Sequence, residues 1–128
     1  MAIGSILALR PKVIIVDEPT TGQDAQQSLE IMDFLVDLNV NHGHTIIIIT
    51  HDMPIVARYA KRVITMANSR IIADGPTAEV FSQPEVLAEA SLEPPQITQL
   101  AQLSQSLGFR TGTLTVEEMW QQFKQLVA

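Results

Sequence analysis

Two short runs of branched apolar residues constrain this chain more than any other feature. Val13-Ile14-Ile15-Val16 and Ile46-Ile47-Ile48-Ile49 both lack the polar alternation of a half-exposed strand. Such runs are predicted to be strands covered on both faces, as in a parallel sheet sandwiched by helices. Between them lies a loop, Asp17-Glu18-Pro19-Thr20-Thr21-Gly22-Gln23, broken by proline and glycine. Asp24 is a good helix cap, and the helix after it runs to about Val40. Leu29, Met32 and Val36 form one apolar line, with Ile31, Leu35 and Leu38 beside it, a stripe suited to packing on a sheet. Gly43, within Asn41-His42-Gly43-His44, closes the helix. Strand, loop, helix and strand in this order make a βαβ unit, which requires a parallel pair, so the fold class is α/β. Both strands then end at one edge of the sheet. Asp17 and Glu18 sit at the end of the first, and His51 and Asp52 follow the second. Open α/β sheets bind ligands at that edge.

Beyond the βαβ unit we expect a short helix over residues 53–59. A hairpin should follow, with strands 62–66 and 70–73 around Ala67-Asn68-Ser69, and Asp74-Gly75-Pro76 should turn the chain out of it. Helices are expected over residues 77–81 and 84–90. Pro94-Pro95 marks a boundary. Two further helices, 96–107 and 116–127, are separated by Gly108 and Gly112. In the last, Val116, Met119, Trp120, Phe123, Leu126 and Val127 share one face, and Thr115 with Glu118 forms a capping box. Trp120 and Phe123 read as packing residues. At the other end, residues 2–9 read as a buried helix broken by Arg10-Pro11-Lys12, and a start inside an apolar helix leads us to expect a truncated start.

Composition narrows the functional classes. The chain has 128 residues, enough for one modest domain, and is 46% hydrophobic and 17% charged, which excludes wholesale disorder. A net charge of −6, with only eight scattered basic residues, argues against a nucleic-acid partner. There is no cysteine, which removes disulfides and thiolate chemistry and fits a reducing cytoplasm. The longest apolar runs fall far short of the ~20 residues that span a bilayer. No cationic segment followed by an apolar stretch marks a signal peptide. Residues 74–106 hold five acidic and no basic residues, a solvated surface on this reading, and His42 and His44 read as solvated turn residues.

Two adjacent carboxylates at the end of an apolar strand can address two parts of one ligand. One can hold Mg²⁺, largely through water, and the other can polarise an attacking water. A histidine at the end of the neighbouring strand can reach a terminal phosphate. Alone, each of these residues would read as an ordinary turn or capping group. Together they resemble a known set. Residues 13–19 resemble the Walker B segment of ABC-transporter ATPases, Thr20-Thr21-Gly22-Gln23-Asp24 their D-loop, and Ile47-Ile48-Ile49-Thr50-His51-Asp52 their switch segment, in the family's order and separation. Gln23 departs from the leucine common there. The resemblance implies that Asp17 supports Mg²⁺, Glu18 is the catalytic base, His51 contacts the γ-phosphate, and Asp24 lies in a loop crossing an ATPase dimer interface. ATP and Mg²⁺ are the implied cofactors.

The resemblance extends along the chain. Ile71-Ile72-Ala73-Asp74-Gly75-Pro76-Thr77 is similar to the end of the nucleotide-binding domain of ABC importers. Residues 92–100 resemble the C-terminal extension of energy-coupling factor ATPases, which include the cobalt-importer type. We therefore expect the C-terminal half of a P-loop NTPase domain of the ABC type, with parallel core strands, a small hairpin and a helical extension. Residues 1–90 would be the ATPase part and 91–128 an extension suited to dimerisation. Implied partners are a second ATPase subunit, identical or paralogous, a transmembrane coupling protein and a substrate-binding membrane protein. The implied location is peripheral, on the cytoplasmic face of the membrane, powering uptake of a vitamin or metal ion. No G-x-x-x-x-G-K-S/T loop and no Leu-Ser-Gly-Gly-Gln signature occurs. The phosphate cradle is thus missing, and we expect the chain alone to be inactive. Two other readings stand beside this one: a non-catalytic assembly module acting through its C-terminal helices, and a truncated gene product.

Overall fold

The computed structural model describes residues 10–128; the helix expected over residues 2–9 lies outside them. The chain divides into two compact units, Met1–His51 and Asp52–Ala128.

In the first unit, β1 (Val13–Asp17) and β2 (Thr45–Ile49) pair in parallel, with Val13 opposite Thr45 and Asp17 opposite Ile49. The crossover is α1 (Ala25–Val40). Its start is set by Asp24, whose carboxylate accepts the Gln27 amide at 2.8 Å. The chain reverses after it at Gly43, where φ is +71°, a conformation that glycine adopts without a Cβ penalty. Ile14 on β1 and Met32, Leu35 and Leu38 on α1 are buried and make the core of this unit.

The strands are covered on one face only among the described residues. Val13, Ile15, Ile47 and Ile49 are 49%, 62%, 45% and 53% exposed, against our expectation of cover on both sides. The reason is geometric. Successive strand side chains point to opposite faces, and a single crossover helix shields just one of them. The unbroken apolar runs match a sheet with a second layer, which these residues do not themselves supply.

The second unit opens with α2 (Met53–Tyr59), capped by Asp52, which accepts the Ile55 amide at 3.2 Å. A hairpin follows, β3 (Arg62–Ala67) with β4 (Arg70–Pro76). Asn68 and Ser69 both have positive φ, the geometry of a two-residue turn matched to strand twist. Asp74-Gly75-Pro76 belongs to β4 instead of turning away, and Pro76 pairs with Arg62. Arg62 holds this extension by forking onto Asp74, with two N–H···O contacts of 2.7 Å. Four helices complete the unit: α3 (Thr77–Phe81), α4 (Pro84–Glu89), α5 (Gln96–Leu103) and α6 (Val116–Leu126). The helix expected over residues 96–107 ends at Leu103 and resumes as a single 3-10 turn, Gln105–Leu107. Met53, Ala57, Val80, Phe81 and Leu87 form the apolar core.

α6 departs from expectation in what it buries. Trp120 and Phe123 are 52% and 43% exposed and stack on each other with ring centroids 5.6 Å apart. The buried side chain of α6 is polar, Gln122. Its carbonyl accepts the Arg110 amide at 2.9 Å, and its amide donates to Thr113 Oγ1 at 2.8 Å. Thr98 Oγ1, also buried, donates to the Thr113 carbonyl at 2.7 Å. The connection from α5 to α6 has backbone groups that no helix or strand satisfies, and these side chains satisfy them. Gly112 lets that connection approach α3 closely; a Cβ there would lie 2.5 Å from the Ala78 carbonyl oxygen.

Candidate functional site

The site lies at the C-terminal edge of the parallel pair. β1 ends at Asp17, and the Glu18 amide still donates to the Ile49 carbonyl at 2.8 Å. Glu18 then takes a left-handed conformation, φ +46°. That costs an L-residue about 1–2 kcal/mol. It ends the strand's alternation, so Asp17 and Glu18 are not constrained to opposite faces. Tight turns follow, with the Thr21 amide on the Glu18 carbonyl and the Gln23 amide on the Thr20 carbonyl, both at 3.2 Å.

The Glu18 carboxylate is held by three side chains. His51 Nδ1 lies 2.7 Å from Oε1. Thr21 and Thr50 donate their hydroxyls to Oε2 at 3.0 and 3.2 Å. The hydrogen bond from His51 holds the Glu18 carboxyl below the ordinary glutamate range, against a partial burial that acts to raise it; the two threonines and the histidine's charge add to the lowering. A carboxylate only accepts, so His51 Nδ1 carries a proton in this arrangement. The histidine is otherwise largely exposed, at 77% of its side chain.

Glu18 and His51, 33 positions apart in sequence, are thus in direct contact. Asp17 stands at the same edge, opposite Ile49. Asp24 is different: its carboxylate caps α1 by accepting the Gln27 amide. Thr21 and Thr50 enter the sequence reading only as members of their segments, with no role of their own, because spacing does not show a hydroxyl contact. Thr50 closes the apolar run immediately before His51, and Thr21 sits three residues after Glu18. The carboxylate of Asp17 is a hard oxygen donor of the type Mg²⁺ takes. No cluster of three or more His, Asp or Glu able to hold a metal exists among the described residues. The chemistry of Asp17 thus fits at most one position of a Mg²⁺ shell, which is six-coordinate.

No family model matches the sequence. A Methanosarcina mazei protein, provisionally named an ABC transporter ATP-binding protein, is 47% identical over 120 residues, which is 93% of this chain and 20% of the relative. A Vibrio parahaemolyticus protein with the same kind of name is 39% identical over 127 residues, 97% of this chain and 22% of the relative. The solved structure of CbiO1 from Clostridium perfringens, described as part of the ABC transporter complex CbiONQ, matches with a TM-score of 0.60 and 42% identity over 79% of this chain. The chain matches part of an ABC transporter ATP-binding domain. It spans about a fifth of the length of these curated relatives and 40% of CbiO1. The α/β architecture with a parallel pair, a hairpin and helices agrees with that match. Among the described residues no helix is long and apolar enough to cross a membrane.

Proposed function

We propose that this segment supplies the water-activating and phosphate-contacting half of an ATP-hydrolysing site in an importer of the energy-coupling factor type. The observation that carries the reading is the Glu18–His51 contact of 2.7 Å at the C-terminal edge of two parallel strands. A carboxylate kept ionised is competent to take a proton from water. An imidazole anchored to it through Nδ1 donates from Nε2 to a phosphate oxygen when both ring nitrogens carry protons. In this reading Glu18 is the base, His51 the γ-phosphate contact and Asp17 the residue that would hold Mg²⁺ through water. Mg²⁺, when bound, would neutralise phosphate charge. Asp24 would hold the D-loop's exit as a helix cap while that loop meets a second ATPase subunit.

The similarity to CbiO1, part of an ABC transporter complex, supports a place in such a complex; the finer reading is an importer for a metal ion or vitamin, with a transmembrane coupling protein and a substrate-binding membrane protein as partners at the cytoplasmic face of the membrane. Residues 1–90 would belong to the ATPase domain and 91–128 to the helical extension. The chain contains no phosphate loop, and its carboxylates repel phosphates, so alone it should bind ATP poorly and turn over none. The test is His51→Ala in the complete ATPase carrying this segment. Turnover should fall by about 10²-fold or more while nucleotide affinity holds. Unchanged turnover would remove His51 from the chemistry.

One observation favours a second role alongside the first. Val116, Trp120 and Phe123 of α6 are exposed apolar residues on a helix rich in Gln and Glu. Exposed aromatic anchors suit an assembly surface. Light scattering of the 128-residue chain should show self-association, weakened by Trp120→Glu; a clean monomer at all concentrations would contradict it.

A further inference from the structure

The contacts of Glu18 extend beyond the base and its histidine. Oε2 accepts two hydroxyls, from Thr21 at 3.0 Å and Thr50 at 3.2 Å, which leaves Oε1 for His51. The Thr21 contact is local, three residues away, and taken alone would be an ordinary turn interaction. The Thr50 and His51 contacts are not local: they come 32 and 33 residues later, from the end of the paired strand. Glu18 also holds a left-handed backbone, φ +46°, which a glutamate does not adopt without compensation. Strain at one residue, met by three side-chain bonds from two loops, describes a carboxylate fixed in one orientation.

We propose that Thr21 and Thr50 are positioning residues that clamp Glu18, and through it set which nitrogen of His51 carries the proton. Held by Oε2, the carboxylate presents Oε1 to Nδ1, so the neutral imidazole is the Nδ1–H tautomer. Without the two hydroxyls, the carboxylate can rotate about its last side-chain bond, because that torsion has broad, shallow preferences. The histidine then loses the acceptor that selects its tautomer. The clamp rests on the ATPase reading for its purpose, but the three contacts that define it lie between residues 18 and 51 and involve no nucleotide.

The test therefore uses the 128-residue chain without nucleotide. Long-range proton–nitrogen NMR spectra of His51, taken where the ring is neutral, should show Nδ1–H as the dominant tautomer. Thr21→Val with Thr50→Val keeps the branched shape and removes both hydroxyls. It should shift the population to Nε2–H while amide signals of residues 62–128 stay in place. Thr50→Ser retains a hydroxyl and should keep Nδ1–H dominant, both alone and beside Thr21→Val. A double valine variant with undiminished Nδ1–H overturns the clamp, as does a Thr50→Ser protein that, beside Thr21→Val, behaves like the double valine variant. This outcome is separate from the turnover of His51→Ala: the clamp can fail while the ATPase reading stands, and the ATPase reading can fail while the tautomer is set as described.

Discussion

Glu18 gathers the chemistry of the first unit into one side chain. Its φ of +46° and its contacts with Thr21, Thr50 and His51 explain each other. The strain is tolerable because the carboxylate gains partners it would not meet from an extended backbone. Its carboxyl titrates below the ordinary glutamate range, chiefly because His51 donates to it. Linkage sets the sign. A depressed folded value means that the contribution to stability is full above the unfolded glutamate range and is lost as pH falls through the folded one. Carbon-detected NMR of the Glu18 carboxyl should place its midpoint low in the wild type and return it toward the ordinary range in His51→Ala. An unmoved midpoint would show that His51 is not the cause. In the second unit the comparable residue is Gln122. Replacing it by Leu strips the Arg110 amide of its acceptor and the Thr113 hydroxyl of one donor, and should cost about 1–3 kcal/mol in urea unfolding.

At the level of strands and helices, much of the fold was legible. The two branched runs marked β1 and β2, and Asp24 marked the start of α1. Asp24→Ala should lower stability by about 1 kcal/mol, read as a reduced denaturation midpoint. Three features were not legible, for physical reasons. Apolar periodicity in α6 reported a sticky face but not whether anything covers it, and Trp120 and Phe123 remain half exposed. Glycine and proline in Asp74-Gly75-Pro76 suggested a turn, yet an edge strand tolerates both, and Arg62 fastens that end to β3. The buried polar trio of Thr98, Thr113 and Gln122 carried no pattern, because it answers backbone groups whose need arises only once the chain is folded. On β3, Thr65 is buried with its hydroxyl unpartnered, beside the bulge at Met66. Thr65→Val should therefore raise stability, by about 1 kcal/mol.

At the scale of the whole chain, topology explains why the candidate site residues meet. Asp17, Glu18 and His51 could be read because parallel strands bring their ends to one edge, and a βαβ crossover fixes which edge. The threonine clamp could not, since hydroxyl contacts depend on the left-handed turn at Glu18 and not on spacing. Among the described residues one face of β1 and β2 stays open, and the chain spans 20% of the length of the Methanosarcina mazei relative. The base role of Glu18 is tested most directly by single-turnover hydrolysis in a complete ATPase that carries this segment, comparing wild type with Glu18→Gln. With Glu18 as base, the variant should bind Mg-ATP with near wild-type affinity and hydrolyse it slower by about 10²–10⁴-fold. Hydrolysis at the wild-type rate would contradict it.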